Sequence, residues 1–244
     1  MARNKKPLPL LEGITIERMA AAGQSIAHWG ELVVFVPYGA PGDRCTLQIV
    51  RKKSHYAEAR IVTLEEPSPL RISPRCKHFT TCGGCKWQHI PYEEQLTAKA
   101  TQVRDAMERL GKVEVGEYLP ILGSQETYQY RNKLEFTFSN HRWRTSEELA
   151  SLPEGLVDAD NSGLGFHIPG KFDKVLDIEE CYLGNELSNR IRNFVRAYCL
   201  ERIERYPFYD LRAQEGGMRT LMIRTTSKGH TMVLVAFAHE NAHH

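Results

Sequence analysis

Apolar and polar residues alternate most regularly in the first quarter of the chain. Leu32-Val33-Val34-Phe35-Val36 is a continuous apolar run stopped by Pro37, the pattern of a buried strand. Cys45-Thr46-Leu47-Gln48-Ile49-Val50 alternates with a period of two, and a further strand pattern runs from Tyr56 to Leu64. Between them, Tyr38-Gly39-Ala40-Pro41-Gly42-Asp43 is dense in turn residues, and His28-Trp29-Gly30 reads as an exposed turn tip. Residues 8–66 therefore form an all-β module. Short strands between glycine-rich turns suit a small barrel of the oligonucleotide-binding kind. Arg51-Lys52-Lys53 falls in the connection between its last two strands, where it can face a phosphate backbone or solvent.

The pattern then changes. Pro67, Pro69 and Pro74 mark a linker through residues 67–92, and Pro91 opens a helix, since proline suits the first helical position. Leu96, Ala100, Val103, Met107 and Leu110 recur at helical spacing and Gly111 is placed as a C-cap, so residues 93–117 carry an apolar stripe. Residues 118–244 read as mixed α+β. Leu134, Phe136 and Phe138 share one face of a strand, opposite Lys133, Glu135 and Thr137. Residues 140–162 are polar without a period and predict a long loop. Short strands follow at 163–168 and 174–178. Residues 185–206 predict a helix with Leu187, Ile191, Phe194 and Tyr198 inward, and a hairpin spans 218–238. The expected fold class is thus α+β, with a β-barrel leading into a mixed domain.

Composition narrows the function. Of 244 residues, 41% are hydrophobic, enough for packed cores, and no apolar run approaches a membrane span. The basic start, Met1 to Pro7, lacks the apolar stretch of a signal peptide, which points to the cytoplasm. Net charge is only +2, but residues 67–92 hold Arg71, Arg75, Lys77 and Lys86 with no acidic side chain. Phe79, Trp87 and Tyr92 are interleaved with them. Cations attract phosphate and aromatic faces stack on unpaired bases; a solvated basic loop is the plainer reading of the charge alone.

That same segment holds Cys76, Cys82 and Cys85, with Cys181 far along the chain. In a reducing compartment such a set serves as metal ligands more readily than as disulfides. Four thiolates complete a four-iron cluster or a tetrahedral zinc site. Gly83-Gly84 allows a tight turn between two of them. On spacing alone zinc stays open, with His78 or His89 as further ligands. Cys45 and Cys199 read as buried small apolar residues with no base beside them.

Taken together, these residues resemble the RNA uracil-C5 methyltransferases, above all the RumA/RlmD type that modifies 23S ribosomal RNA. Ile16 to Ala27, Val34-Phe35-Val36 and Pro41-Gly42-Asp43 resemble the family's N-terminal TRAM domain, an RNA-binding barrel. Cys76…Cys82-Gly83-Gly84-Cys85…Gln88-His89 resembles its iron–sulfur loop. Tyr130-Arg131-Asn132-Lys133-Leu134-Glu135-Phe136 resembles the start of its central domain. Gly165-Phe166-His167 and Val175 to Leu183 resemble the segment that supplies the fourth ligand.

The resemblance implies a TRAM barrel at 8–66, a cluster loop at 67–92, a helix at 93–117 that packs on a methyltransferase domain, and a central RNA-binding domain at 118–244. It implies a four-iron, four-sulfide cluster on Cys76, Cys82, Cys85 and Cys181, structural in role. It implies S-adenosylmethionine (SAM) as methyl donor, 23S ribosomal RNA as partner and a monomer. The expected RNA contacts are Arg51, Lys52, Lys53, Lys77, Lys86, Arg131, Asn132 and Lys133. In the family a cysteine thiolate adds to C6 of uracil, C5 takes the methyl group, and a base removes the C5 proton. The Rossmann-like domain carrying those groups is expected to be absent from this chain, no catalytic residue is assigned, and the chain by itself is expected to be inactive. The alternatives are a non-catalytic RNA-binding module stapled by a metal, and a part of a transfer-RNA uracil-C5 methyltransferase.

Overall fold

The computed structural model describes residues 8–153 and 161–239. The chain divides into two compact units. The first runs as far as Arg75 and resumes over Cys85–Gln125, while the second takes Cys76–Gly84 and everything from Glu126 onward. The 67–92 segment is therefore divided between the two units.

In the first unit six strands make one sheet: β1 (Leu10–Thr15), β2 (Arg18–Met19), β3 (Gln24–Trp29), β4 (Leu32–Pro37), β5 (Arg44–Lys52) and β6 (Tyr56–Glu66). Their order is β1-β5-β6-β4-β3-β2. All neighbours are antiparallel except β4 and β6, which run parallel from the pair Val33 and Tyr56. The sheet folds round an apolar core of Leu11, Ile16, Ala27, Val34, Val36, Cys45, Leu47, Ile49, Ala57 and Ala59. Burying a side chain such as Leu47 contributes about 1.5–3 kcal/mol. Strand β5 extends further than its alternation predicts: Arg51 and Lys52 belong to the strand, and only Lys53 falls in the connection.

Asp43, in the turn before β5, is fully buried. It accepts hydrogen bonds from the backbone of Ala40 (2.6 Å) and Ser68 (2.9 Å) and from Arg71 Nε and Nη2 (both 2.7 Å). Burial alone would raise its pKa, but the bonds from Arg71, Ser68 and Ala40 outweigh burial and hold the carboxyl below its ordinary range. This one side chain ties the proline linker to the barrel.

Helix α1 (Tyr92–Asp105) starts one residue later than expected, with Pro91 as its N-cap in extended geometry. It ends in a wide turn over Ala106–Leu110, where Gly111 N bonds Ala106 O at 2.8 Å. No residue of α1 is buried, and Val103, Met107 and Leu110 of the apolar stripe are exposed.

The second unit holds another six-stranded sheet: β7 (Lys133–Ser139), β8 (Arg142–Trp143), β9 (Gly163–His167), β10 (Val175–Asp177), β11 (Met218–Thr225) and β12 (Thr231–Phe237). The order is β12-β11-β7-β9-β10-β8. Its core contains Leu134, Phe136, Phe138, Leu164, Val175, Leu221 and Ile223. Phe136 stacks on Phe166 at 5.2 Å between ring centroids, and Phe138 meets Phe208 edge-on at 4.9 Å.

Two expectations change here. Residues 140–162 are not a featureless loop. They hold β8 and a short helix α2 (Ser146–Ser151), started by a capping box in which Thr145 Oγ1 accepts from Glu148 N (3.2 Å) and Glu148 Oε2 accepts from Thr145 N (2.8 Å). Residues 154–160 lie outside the described residues. Helix α3 (Glu186–Leu200) is also rotated from its expected face. Leu187, Phe194 and Tyr198 are exposed, whereas Ser188, Arg192 and Cys199 are buried.

Arg192 can turn inward because Asp177, at the end of β10, meets it there. Arg192 donates to Asp177 Oδ1 and to Leu164 O. Burial lowers its pKa to about 10, the opposing pull of Asp177 notwithstanding, so it stays charged. Asp177 also holds Arg196 at 2.6 Å and Arg142 at 3.7 Å. More of the described residues lie in strands than in helices, and the expected α+β class is corrected to two units each built on a six-stranded sheet.

Candidate nucleic-acid interface

The start of β7, the β11–β12 turn and the segment around Asn185 enclose an open groove of about 820 Å³. Arg131 N donates to Leu183 O (2.8 Å), Gln129 N to Tyr182 O (2.8 Å) and Thr225 N to Asn132 O (2.9 Å). The approach to β7 is thereby held on both sides by backbone bonds. The hairpin turn closes through Thr226 N to His230 O (2.9 Å) and Gly229 N to Thr226 O (3.0 Å). Gly229 sits at φ 82°, a conformation that favours glycine.

Two of the expected RNA contacts, Arg131 and Asn132, line this groove. Arg224 and His230 line it too and carried no motif in the sequence. The register of β7 on β11 brings Arg224 there, directly opposite Lys133. Lys133 itself is not among the lining residues and pairs with Glu135 at 3.4 Å. Arg131 and Arg224 make no ion pair among the described residues.

The remaining expected contacts are dispersed. On the barrel, Arg51 pairs with Glu58 at 3.3 Å, and Lys52 Nζ lies 4.7 Å from the centroid of the partly exposed Trp29 ring. Such a cation–ring pair leaves both a charge and an aromatic face at the surface. Lys53 is exposed beside them. Lys86 reaches over Tyr38 at 5.6 Å, and its stem packs where a Cβ on Gly23 would stand. Lys77 pairs with Glu179 at 2.9 Å.

The cysteines divide with the units. Cys76, Cys82 and Cys181 belong to the second and Cys85 to the first. Phe79 N bonds Cys76 O (3.0 Å) and Cys82 N bonds His78 O (3.0 Å), which makes a tight turn between two thiols. Gly83 follows at φ 73°, and a Cβ there would collide with Pro169. Cys181 N is held by Asn189 Oδ1 at 2.9 Å. Four thiols are suitable donors for an iron–sulfur centre or zinc. As placed, however, the described residues include no group of three or more His, Cys, Asp or Glu positioned to hold a metal ion. Burial lowers His89 to about 4, so it is neutral at pH 7, and burial also lowers His78.

Burial raises the Cys45 thiol to about 11 and also raises Cys199. Both stay protonated at neutral pH, which agrees with their reading as packed apolar residues rather than nucleophiles.

Residues 13–62, within the barrel, match the TRAM domain. The chain is 60% identical over 222 residues to an uncharacterized RNA methyltransferase of Porphyromonas gingivalis, covering 91% of this chain and 48% of the relative. It is 54% identical to an uncharacterized RNA methyltransferase of Bacteroides thetaiotaomicron, covering 89% and 47%. The chain spans about half the length of the curated relatives it matches. Among solved structures it is similar to the Pyrococcus abyssi tRNA (uracil-54, C5)-methyltransferase in complex with S-adenosyl-L-homocysteine. That match has a TM-score of 0.61 and 23% identity, and it covers 94% of this chain and 46% of that one. The likeness in fold extends across 94% of this chain, and the expected fold class gives way to the two sheet units described above.

Proposed function

We propose that this chain recognises RNA on behalf of a SAM-dependent uracil-C5 methyltransferase, with 23S ribosomal RNA as substrate. The observation that carries the reading is the TRAM barrel with Arg51, Lys52, Lys53 and Trp29 at its surface. Cationic side chains beside an exposed ring suit phosphate and an unpaired base. Similarity to chains named RNA methyltransferases supports the reaction class. On the sequence resemblance alone, Cys76, Cys82, Cys85 and Cys181 are proposed to hold a structural four-iron cluster, the feature on which the 23S type rests. Arg131 and Asn132 extend the RNA surface in the second unit, with Lys133, Lys77 and Lys86 as further candidate contacts.

The likeness to a solved transfer-RNA enzyme favours one second reading, a transfer-RNA substrate. The test is methyl transfer from SAM to 23S and transfer-RNA transcripts, with 5-methyluridine read by mass spectrometry, in parallel with binding titrations of both RNAs over a range of salt. Preference for 23S supports the proposal, and preference for transfer RNA replaces it. The expected inactivity of the chain by itself is read from the same assay. Iron and sulfide assays after anaerobic purification test the cluster, and one zinc per chain would remove it.

A further inference from the structure

We infer that the groove between the start of β7 and the β11–β12 turn is a binding site for an unpaired RNA segment, with Arg131 and Arg224 on its phosphates and Tyr130 stacked on a base. This rests on the RNA reading above and deepens it by naming the groove, an unpaired strand as its ligand, and roles for two residues that had none, Tyr130 and Arg224.

Its chemistry selects the ligand. The lining contains two guanidinium groups and no carboxylate. Neither guanidinium has an ion-pair partner among the described residues, so the groove presents uncompensated positive charge to whatever enters. Arg224 stands directly opposite Lys133 across β7 and β11. Lys133 is met by Glu135 at 3.4 Å, which leaves the guanidinium of Arg224 for an external anion. Guanidinium groups suit phosphate oxygens because their planar donors match that geometry.

The remaining lining suits bases. Asn132, Asn185 and Gln129 supply amide donors and acceptors, and Thr226 and Ser227 supply hydroxyls. Tyr130 is 57% exposed although it lies on the groove wall, an unusual place for a large ring with nothing covering it. Gln129 before it sits at φ 55°, which non-glycine residues rarely adopt, and its bond to Tyr182 O fixes that turn. The ring is therefore presented by a constrained backbone. The volume, about 820 Å³, lies within the roughly 300–1,000 Å³ of ligand sites. A duplex hides base faces inside its stack, so a ring that acts by stacking needs an unpaired strand.

The experiment is a fluorescence-anisotropy titration of the full chain with a short uridine-containing single strand, and with the same sequence as a duplex, at several salt concentrations. Tyr130→Ala is expected to weaken single-strand binding by about 5- to 150-fold, the range of one base–aromatic stack, and Tyr130→Phe to restore it. Arg224→Ala is expected to lower the salt dependence by about 0.7 for one lost phosphate contact, with Arg224→Lys retaining most of it. Both positions are exposed, and far-UV circular dichroism checks that the variants fold. If both variants bind like wild type while Lys52→Ala weakens binding, the groove assignment is wrong and the RNA reading stands. If wild type binds no RNA, both fail. If an acidic peptide binds in an Arg224-dependent way and RNA does not, the site belongs to a protein partner.

Discussion

The two units use the same number of strands and hold them together differently. The barrel closes on an almost wholly apolar core, and its buried charge, Asp43, is satisfied by four donors at its edge. The second sheet packs aromatic rings within its layer but joins α3 through a charge cluster, one carboxylate shared by Arg142, Arg192 and Arg196. Hydrophobic packing tolerates small displacements. A buried ion cluster has one good geometry and a large penalty for any other. The second unit thereby gains a definite placement for α3 and for the 177–183 segment that carries Cys181, at some cost in stability.

The comparison breaks most sharply at Arg192. Arg192→Ala leaves Asp177 buried with fewer partners and is expected to destabilise the second unit by about 3–5 kcal/mol. Denaturant unfolding followed separately by Trp29 in the barrel and Trp143 in the second sheet should show only the latter transition moving. An equal shift of both would mean the units do not melt independently.

Asp43→Asn tests the barrel's buried charge, with an expected loss of about 1–3 kcal/mol at pH 7. The sign with pH follows from its lowered pKa. The stabilisation is fully present above the unfolded carboxyl value, about 3.9, and is lost as pH falls through the lower folded value. Acid titration of barrel unfolding should therefore flatten below about pH 4 in the variant and stay steep in wild type.

Thr145→Ala removes the capping box of α2 and is expected to cost about 1 kcal/mol, read as faster amide exchange over Ser146–Ser151 with β9 unchanged. The smallest effect is at Arg51, whose exposed pair with Glu58 contributes under about 1 kcal/mol. Arg51→Ala should leave thermal unfolding almost unmoved while weakening RNA binding. A large loss of stability there would show that this surface is built for structure.

The same contrast explains what could be read from the sequence. The barrel strands were legible because one face is buried and one wet, which leaves a period of two in the residues. The face of α3 is not legible from periodicity, because Leu187, Phe194 and Tyr198 of its apolar stripe are exposed whereas the buried face carries Arg192 and Ser188. Asp177 decides that rotation, and it lies on another strand where helical periodicity cannot see it. Helix α2 is too short and polar for a hydrophobic period, although Thr145 and Glu148 stood in the sequence at capping-box spacing. Arg131 and Asn132 stand in a motif that the sequence displays. Arg224 does not, because only the pairing of β7 with β11 makes it their neighbour.

The alternation of chain segments between units has a consequence in time. Lys77 and its partner Glu179 are 102 residues apart, and Gly83 packs against Pro169. At roughly 5–20 residues per second, a ribosome takes about 5–20 s to deliver those partners after the Cys76–Gly84 stretch has emerged. The barrel strands, all made before Pro67, can pair meanwhile. During that interval the thiols of Cys76 and Cys82 belong to no finished unit, so the order of synthesis makes this stretch wait for structure that has yet to be translated.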